Sequence, residues 1–199
     1  VDSNLKTLET YNEHFSNYVD GTAQVTSGFQ KEWLEYLLGF CRAESRILEI
    51  GAAFGRDATF IANKGFAHLL VTDAFDAAVV TLRRKGFNAA KLNLLRDDIT
   101  DKYDLVIASA VFLHFTVDEF HEALTKLKTA LSDGGRLGFS VKSGIGEEWS
   151  DAKMGAPRFF HYWSEESLRQ ALAGFNYEVI DLRQSEDGKW LHVTARPRG

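Results

Sequence analysis

Arg46-Ile47-Leu48-Glu49-Ile50-Gly51-Ala52-Ala53-Phe54-Gly55-Arg56-Asp57 begins as an apolar run, reaches an acid and breaks into small residues, with glycine at 51 and 55. An apolar run that stops at glycine predicts a buried strand followed by a sharp turn. Gly51 and Gly55 permit backbone angles closed to other residues and let a ligand approach the main chain. The helical pattern that follows through Ile61 would aim its free N–H groups at whatever lies in that turn. Two phosphate-binding patterns fail here. The dinucleotide fingerprint G-x-G-x-x-G needs glycine at 53 and 56, which are Ala53 and Arg56, and no G-K-[ST] of a P-loop follows. What remains is E-x-G-x-x-x-G after a strand, with Asp73 closing the next strand 22 residues beyond Gly51. An acid at that place suits a ligand with free ribose hydroxyls. An ordinary strand–turn–helix, its glycines serving only the turn, is the alternative.

Outward from this stretch the alternation is regular. Strands are expected at 47–50, 68–72, 89–92, 104–108 and 136–141, with helices at 56–64, 76–85 and 117–131 between them. Repeated strand–helix units with short connections call for a parallel sheet covered by helices on both faces. Ser164 reads as an N-cap with acids in the first turn of a helix reaching Gly174. Strands at 177–182 and 189–195 are close enough to pair as an antiparallel hairpin. Before the first strand, 4–20 reads as one helix, with Leu5, Leu8, Tyr11, Phe15 and Tyr18 on its apolar side, and 29–40 as a second. Residues 142–163 read as a long glycine-containing connection dense in aromatics, a length that is usually functional or mobile. The fold class is therefore α/β, a seven-stranded, mostly parallel sheet with an antiparallel C-terminal hairpin. One domain is expected over 1–199: a helical cover or lid at 1–45, a core at 46–141, an insert at 142–163, and a final helix and hairpin at 164–199.

Composition bounds the partners. The chain has 199 residues, 45% of them hydrophobic, enough for one well-filled domain. A formal charge of −5 argues against broad electrostatic binding to nucleic acid. A single cysteine, Cys41, excludes an internal disulfide and a cysteine-rich zinc site, and no metal is expected. No signal-peptide pattern opens the chain and no apolar run approaches membrane-spanning length, so a cytoplasmic protein free of the membrane is expected.

The residues from Glu49 to Asp57 resemble the E/D-x-G-C-G-x-G-R-D motif of class I S-adenosylmethionine-dependent methyltransferases. The kind resembled is the small single-domain one, related to tellurite-resistance-type and methyltransferase-domain proteins. Asp133-Gly134-Gly135 resembles the family's K-P-G-G turn, the closing hairpin resembles its characteristic ending, and the likeness covers essentially the whole chain. It implies a Rossmann-like fold, S-adenosylmethionine as cofactor, S-adenosylhomocysteine as product and a bacterial subgroup whose acceptor the sequence does not name. It also implies site residues. The turn of Glu49, Gly51, Ala52, Ala53 and Gly55 would wrap the methionine part, and Arg56 would pair with its carboxylate or form a surface ion pair instead. Asp73 with Ala74 would meet the ribose, and Asn93 and Leu94 the adenine. The carbonyl of Ala108 would hold the ammonium, with Tyr11 and Tyr18 folding over the cofactor. Ala52 and Ala53 stand where the family has Cys-Gly, and Asn93 where it has an acid; the Asn93 amide oxygen still accepts a hydrogen bond.

A sulfonium methyl is already activated, so alignment and exclusion of water carry most of the chemistry. A proton must still leave many oxygen or nitrogen acceptors, which makes His114 the candidate base, His161 the second, with packing roles as the alternative for both. Lys142, Glu147, Trp149, Arg158, Phe160 and His161 lie in the insert or at its edge and are the candidate substrate residues. Their charges suggest a polar small molecule, such as one bearing a carboxylate or phosphate. A tRNA or protein acceptor, a cofactor-binding protein without catalysis and a NAD-dependent oxidoreductase are the rival readings. A monomer or homodimer is expected.

Overall fold

Ile47, Leu48, Glu49 and Ile50 are buried in succession, which a strand allows only when both faces of its sheet are covered. The structure, a computed structural model, describes residues 2–198. In chain order the elements are helices α1 (Ser3–Glu13), α2 (Phe15–Asp20) and α3 (Gly28–Leu38), then β1 (Ile47–Ile50), α4 (Arg56–Asn63), β2 (Leu69–Asp73), α5 (Asp76–Arg84) and β3 (Ala89–Lys91). Next come β4 (Tyr103–Ser109), α6 (Val117–Ala130), β5 (Leu131–Lys142), β6 (Gly146–Ser150), β7 (Arg158–Tyr162), α7 (Glu165–Gly174), β8 (Tyr177–Gln184) and β9 (Trp190–Pro197). Seven strands form one sheet in the order β3-β2-β1-β4-β5-β9-β8, parallel except for β9, which runs antiparallel to both β5 and β8. Consecutive strand residues feed opposite cores. Leu48, Ile50, Val106 and Ala108 pack with Phe120, Leu124 and Leu127 of α6 and Leu168 and Leu172 of α7. Ile47, Val71, Leu105 and Ile107 pack with Leu34 and Leu37 of α3 and Ile61 of α4. The α/β sheet read from the alternation is thus the sheet observed.

Three expectations are corrected. The helix expected over 4–20 is broken at His14, whose backbone (φ −112, ψ 27) leaves the helical region. Its buried side is also the polar one: Asn4, Thr7 and Thr10 are covered while Leu5 is 43% exposed. The reason is what α1 packs against. It lies over the carboxyl ends of the strands, where Thr7 Oγ1 accepts from the Phe159 N–H at 3.0 Å and Thr10 Oγ1 donates to the Pro157 carbonyl at 2.8 Å. The irregular connection expected over 142–163 contains an antiparallel hairpin of β6 and β7, with Glu147 opposite His161 and Trp149 opposite Phe159. Finally, β5 starts directly at the end of α6 and runs through Asp133–Gly135 with a register shift opposite β4. The turn expected at Asp133–Gly135 is therefore an irregularity within a strand.

α6 also opens on a capping box absent from the sequence reading: Thr116 Oγ1 accepts from the Glu119 N–H, and Glu119 Oε2 from the Thr116 N–H. That fixes where the chain leaves the turn after β4, and with it the position of His114.

Candidate functional site

The turn after β1 carries three left-handed residues: Gly51 (φ +71), Ala53 (φ +50) and Gly55 (φ +83). At Gly51 a Cβ would stand 2.4 Å from Val111 Cγ2, so the β1 and β4 loops approach as closely as only glycine permits. Ala53 adopts an angle that favours glycine, which costs about 1–2 kcal/mol. The turn is held by the Ala52 N–H on the Thr72 carbonyl (2.9 Å) and the Ala53 N–H on Asp73 Oδ2 (2.8 Å). Asp73 Oδ1 accepts the Ala74 N–H at 2.7 Å. Burial pushes the Asp73 carboxyl up to about 6, against the pull of these backbone donors. Glu49, only 2% exposed, is pushed well above the usual carboxylate range by burial and by Asp57, and its Oε2 has no hydrogen-bond partner among the described residues. An orphaned buried carboxylate oxygen beside a glycine cradle fits a cationic ligand group.

Two cavities meet here. One of about 90 Å³ is lined by Asp73, Ala74, Asn93 and Leu94, together with Asn4 and Thr7 of α1. The other, about 450 Å³, extends past Glu49, Ala52, Arg56 and Asp57 to Lys142, Arg158 and Phe160. Tyr11, Tyr18, Gly51, Ala53 and His114 line both. Tyr11 and Tyr18 meet edge to face at 5.2 Å, and Tyr11 stacks on Phe75 at 5.9 Å. Asn93 Oδ1 already accepts the Leu95 N–H (3.0 Å), leaving its second lone pair. Ala108 lines neither cavity, because it is fully buried inside β4, in register with Phe139 of β5. Ser109 and Ala110, just beyond it, line both, which moves the expected carbonyl position onward.

His114 is 7% exposed and fixed at both nitrogens. Nδ1 lies 2.6 Å from the Phe159 carbonyl, which only accepts, so Nδ1 carries the proton and Nε2 offers a lone pair to the Tyr11 hydroxyl at 2.9 Å. Arg158 Nη1 in turn donates to the Tyr11 oxygen at 3.1 Å. Burial lowers the His114 pKa to about 3, with Arg158 and Lys142 adding to the effect. The imidazole is therefore neutral and basic in form across the physiological range.

Deeper in the larger cavity lies a network the sequence reading missed. Arg56 does not stand free for a ligand carboxylate: Nε and Nη2 hold Asp57 at 2.8 and 3.1 Å. Asp57 also accepts from Thr26 Oγ1 (2.7 Å) and Gln30 Nε2 (2.7 Å). Because that amide nitrogen also donates to Ser109 Oγ, Gln30 Oε1 is the acceptor facing His192 Nε2 at 2.9 Å. His192 is buried, its pKa lowered to about 4 by desolvation, and its Nδ1 has no partner among the described residues. A histidine in an apolar β-strand pattern carries no sequence signal of this kind. Four elements had to meet first.

The candidate substrate residues divide by strand parity. Arg158 and Phe160 of β7 face the larger cavity with Lys142. His161, one residue on, turns the other way and pairs with Glu147 at 3.0 Å, and Trp149 is 47% exposed against Phe159. Glu147, Trp149 and His161 therefore line neither cavity, contrary to expectation, because alternate residues of a strand face opposite sides.

A family model described as a methyltransferase domain matches residues 23–182. No curated protein matches the sequence. Among solved structures, the DhpI–SAH complex superposes with a TM-score of 0.79 at 16% identity, covering 98% of this chain and 97% of that one. Magnesium protoporphyrin IX methyltransferase (ChlM) from Synechocystis PCC 6803, with bound SAM, gives 0.76 at 13% identity over 100% and 98%. The CcbJ methyltransferase from Streptomyces caelestis gives 0.75 at 15% identity over 96% and 98%. At these identities the likeness concerns the fold. Among the described residues no helix is long and apolar enough to cross a membrane.

Proposed function

The chain belongs to the methyltransferase-domain family, and from that premise we propose that it transfers a methyl group from S-adenosylmethionine to an oxygen or nitrogen of a polar small molecule. The observation that carries this is the pair of buried carboxylates, Glu49 and Asp73, flanking the turn Gly51–Gly55. The cofactor brings a sulfonium whose methyl is already activated, together with an ammonium and two ribose hydroxyls. Asp73 has lone pairs left for those hydroxyls, and the unpartnered oxygen of Glu49 suits the ammonium. Asn93 and Leu94 would border the adenine. SAH and SAM in the structures of DhpI and ChlM are in keeping with this ligand.

On this reading the chain's own work is positional. Gly51 and Ala53 hold the backbone close, and Phe160 with Tyr11 keeps water from the junction of the two cavities. His114 holds its Nε2 lone pair there and, once the Tyr11 hydroxyl withdraws, accepts a hydrogen bond that orients the acceptor; with its pKa held at about 3 it positions that group and leaves the proton to water. α1 acts as a lid, since its residues wall the smaller cavity and carry Tyr11. At about 90 Å³ that cavity lies below the roughly 300–1,000 Å³ of typical ligand sites, so the lid must shift as the adenosine enters. Calorimetry tests the cofactor on which the reading depends. Heat with S-adenosylhomocysteine and none with NAD is expected, and the reverse would make this an oxidoreductase.

A further inference from the structure

Resting on the methyltransferase reading, we propose that the methyl acceptor is an anion, its carboxylate or phosphoryl oxygens held by Arg158 with Lys142 and Lys153 at the far side of the larger cavity. Arg158 is 5% exposed, yet among the described residues no carboxylate pairs with it. Its donors go to neutral oxygens, Nη1 to Tyr11 Oη at 3.1 Å and Nη2 to the Ala152 carbonyl at 2.6 Å, and its Nε is buried without a partner. A buried guanidinium without a counter-ion is costly, and an oxyanion that meets its free donor removes the cost. The guanidinium fork also matches carboxylate and phosphoryl geometry.

Two further cations line the same cavity. Lys142 Nζ lies 4.3 Å above the Phe160 ring, and Arg158 lies over that same ring at 5.0 Å. Lys153 donates to Thr22 Oγ1 at 2.7 Å and sits 4.6 Å above the Tyr18 ring. Neither lysine has a carboxylate partner among the described residues. Burial lowers both pKa values, and Arg158 adds to the effect at each, as expected for like charges facing one space. Of the acids nearby, Asp57 is neutralised by Arg56 and Glu147 pairs with His161 on the other side of the hairpin, whereas Glu148, which accepts the Tyr162 hydroxyl, keeps its charge and offsets part of the effect at Lys142. The cleft is thus divided by charge, acidic at Glu49 and Asp73 for a cationic cofactor and basic at Arg158, Lys142 and Lys153 for an anionic acceptor.

The test is calorimetric titration of the full chain, saturated with S-adenosylhomocysteine, using methylphosphonate, acetate and neutral acetamide. At low ionic strength at least one of the two anions should bind ten or more times tighter than acetamide and weaken as salt is added. Whichever anion binds tighter identifies the acid class. Arg158→Gln should weaken anion binding at least tenfold, and Lys153→Gln, on a more exposed side chain whose loss the fold tolerates, several-fold, with S-adenosylhomocysteine affinity within twofold of wild type for Lys153→Gln. Anions no better than acetamide, or a folded Lys153→Gln protein with unchanged anion affinity, would overturn the proposal. Loss of S-adenosylhomocysteine binding by the wild-type chain would overturn the methyltransferase reading instead, and the anion titration without that ligand is then read by itself.

Discussion

The Tyr11 hydroxyl donates to Nε2 of His114 across 2.9 Å, joining the N-terminal helix to the turn after β4 at the junction of the two cavities. The direction is forced, because the Phe159 carbonyl holds the proton on Nδ1. Together with the Thr7 and Thr10 bonds to Phe159 and Pro157, this bond holds α1 over the site, and it occupies the Nε2 lone pair that faces the cavities. On the proposed reading, moving α1 aside would free that lone pair in the same event.

Tyr11→Phe removes this bond and leaves a buried lone pair without a donor. The expected cost is about 1–3 kcal/mol in the ligand-free protein. Urea denaturation checks it, and a midpoint equal to wild type would mean that water or another donor replaces the hydroxyl at no cost.

Cofactor affinity should depend on pH through Asp73. Its carboxyl is raised to about 6 in the ligand-free protein, whereas ribose hydroxyls donate to the ionised form and lower its pKa in the complex. Below pH 6 a proton must therefore leave before the ligand binds. The contribution of Asp73 to the S-adenosylhomocysteine dissociation constant should be flat above that pH and should weaken binding by up to about tenfold per unit below it. Asp73→Asn should bind at least tenfold more weakly and lose this part of the pH dependence. A profile in the variant parallel to wild type would place the titrating group elsewhere.

Ala53→Gly and Gly51→Ala should have opposite signs. Both positions have positive φ, but Ala53 already bears the strain that Gly51 avoids. Ala53→Gly should leave the protein as stable as wild type or better by up to about 1 kcal/mol, the relief being partly offset by the greater freedom of glycine in the unfolded chain. Gly51→Ala should cost about 1–3 kcal/mol, since its Cβ also meets Val111. Thermal melts of the two variants check the pair; a destabilised Ala53→Gly would mean that the turn relaxes in solution.

The two sides of the β6–β7 hairpin should respond differently. Phe160→Ala empties a buried position and should cost about 3–5 kcal/mol. Glu147→Ala breaks only its contact with His161 at the surface and should stay within about 0.5 kcal/mol, with S-adenosylhomocysteine affinity unchanged. A Glu147 variant that loses the ligand would show that the outer side of the hairpin reaches the site.

The sheet and the turn after β1 were legible in the chain. Apolar strands, helix periodicity and glycines at chain reversals are local patterns, and each element's type follows from a few neighbouring residues. Ile47–Ile50, Gly51, Gly55 and Asp73 were legible for that reason. Which side chains share the larger cavity depends on how the elements pack. Strand parity in 146–162 sends Arg158 and Phe160 inward but Glu147, Trp149 and His161 outward, and a segment read as irregular has no parity to read. Arg56 was lost to Asp57, while Gln30 and His192, 162 residues apart, were brought together across the cavity. A side chain's partner at that separation depends on how whole elements pack, and no short-range pattern in the chain records it.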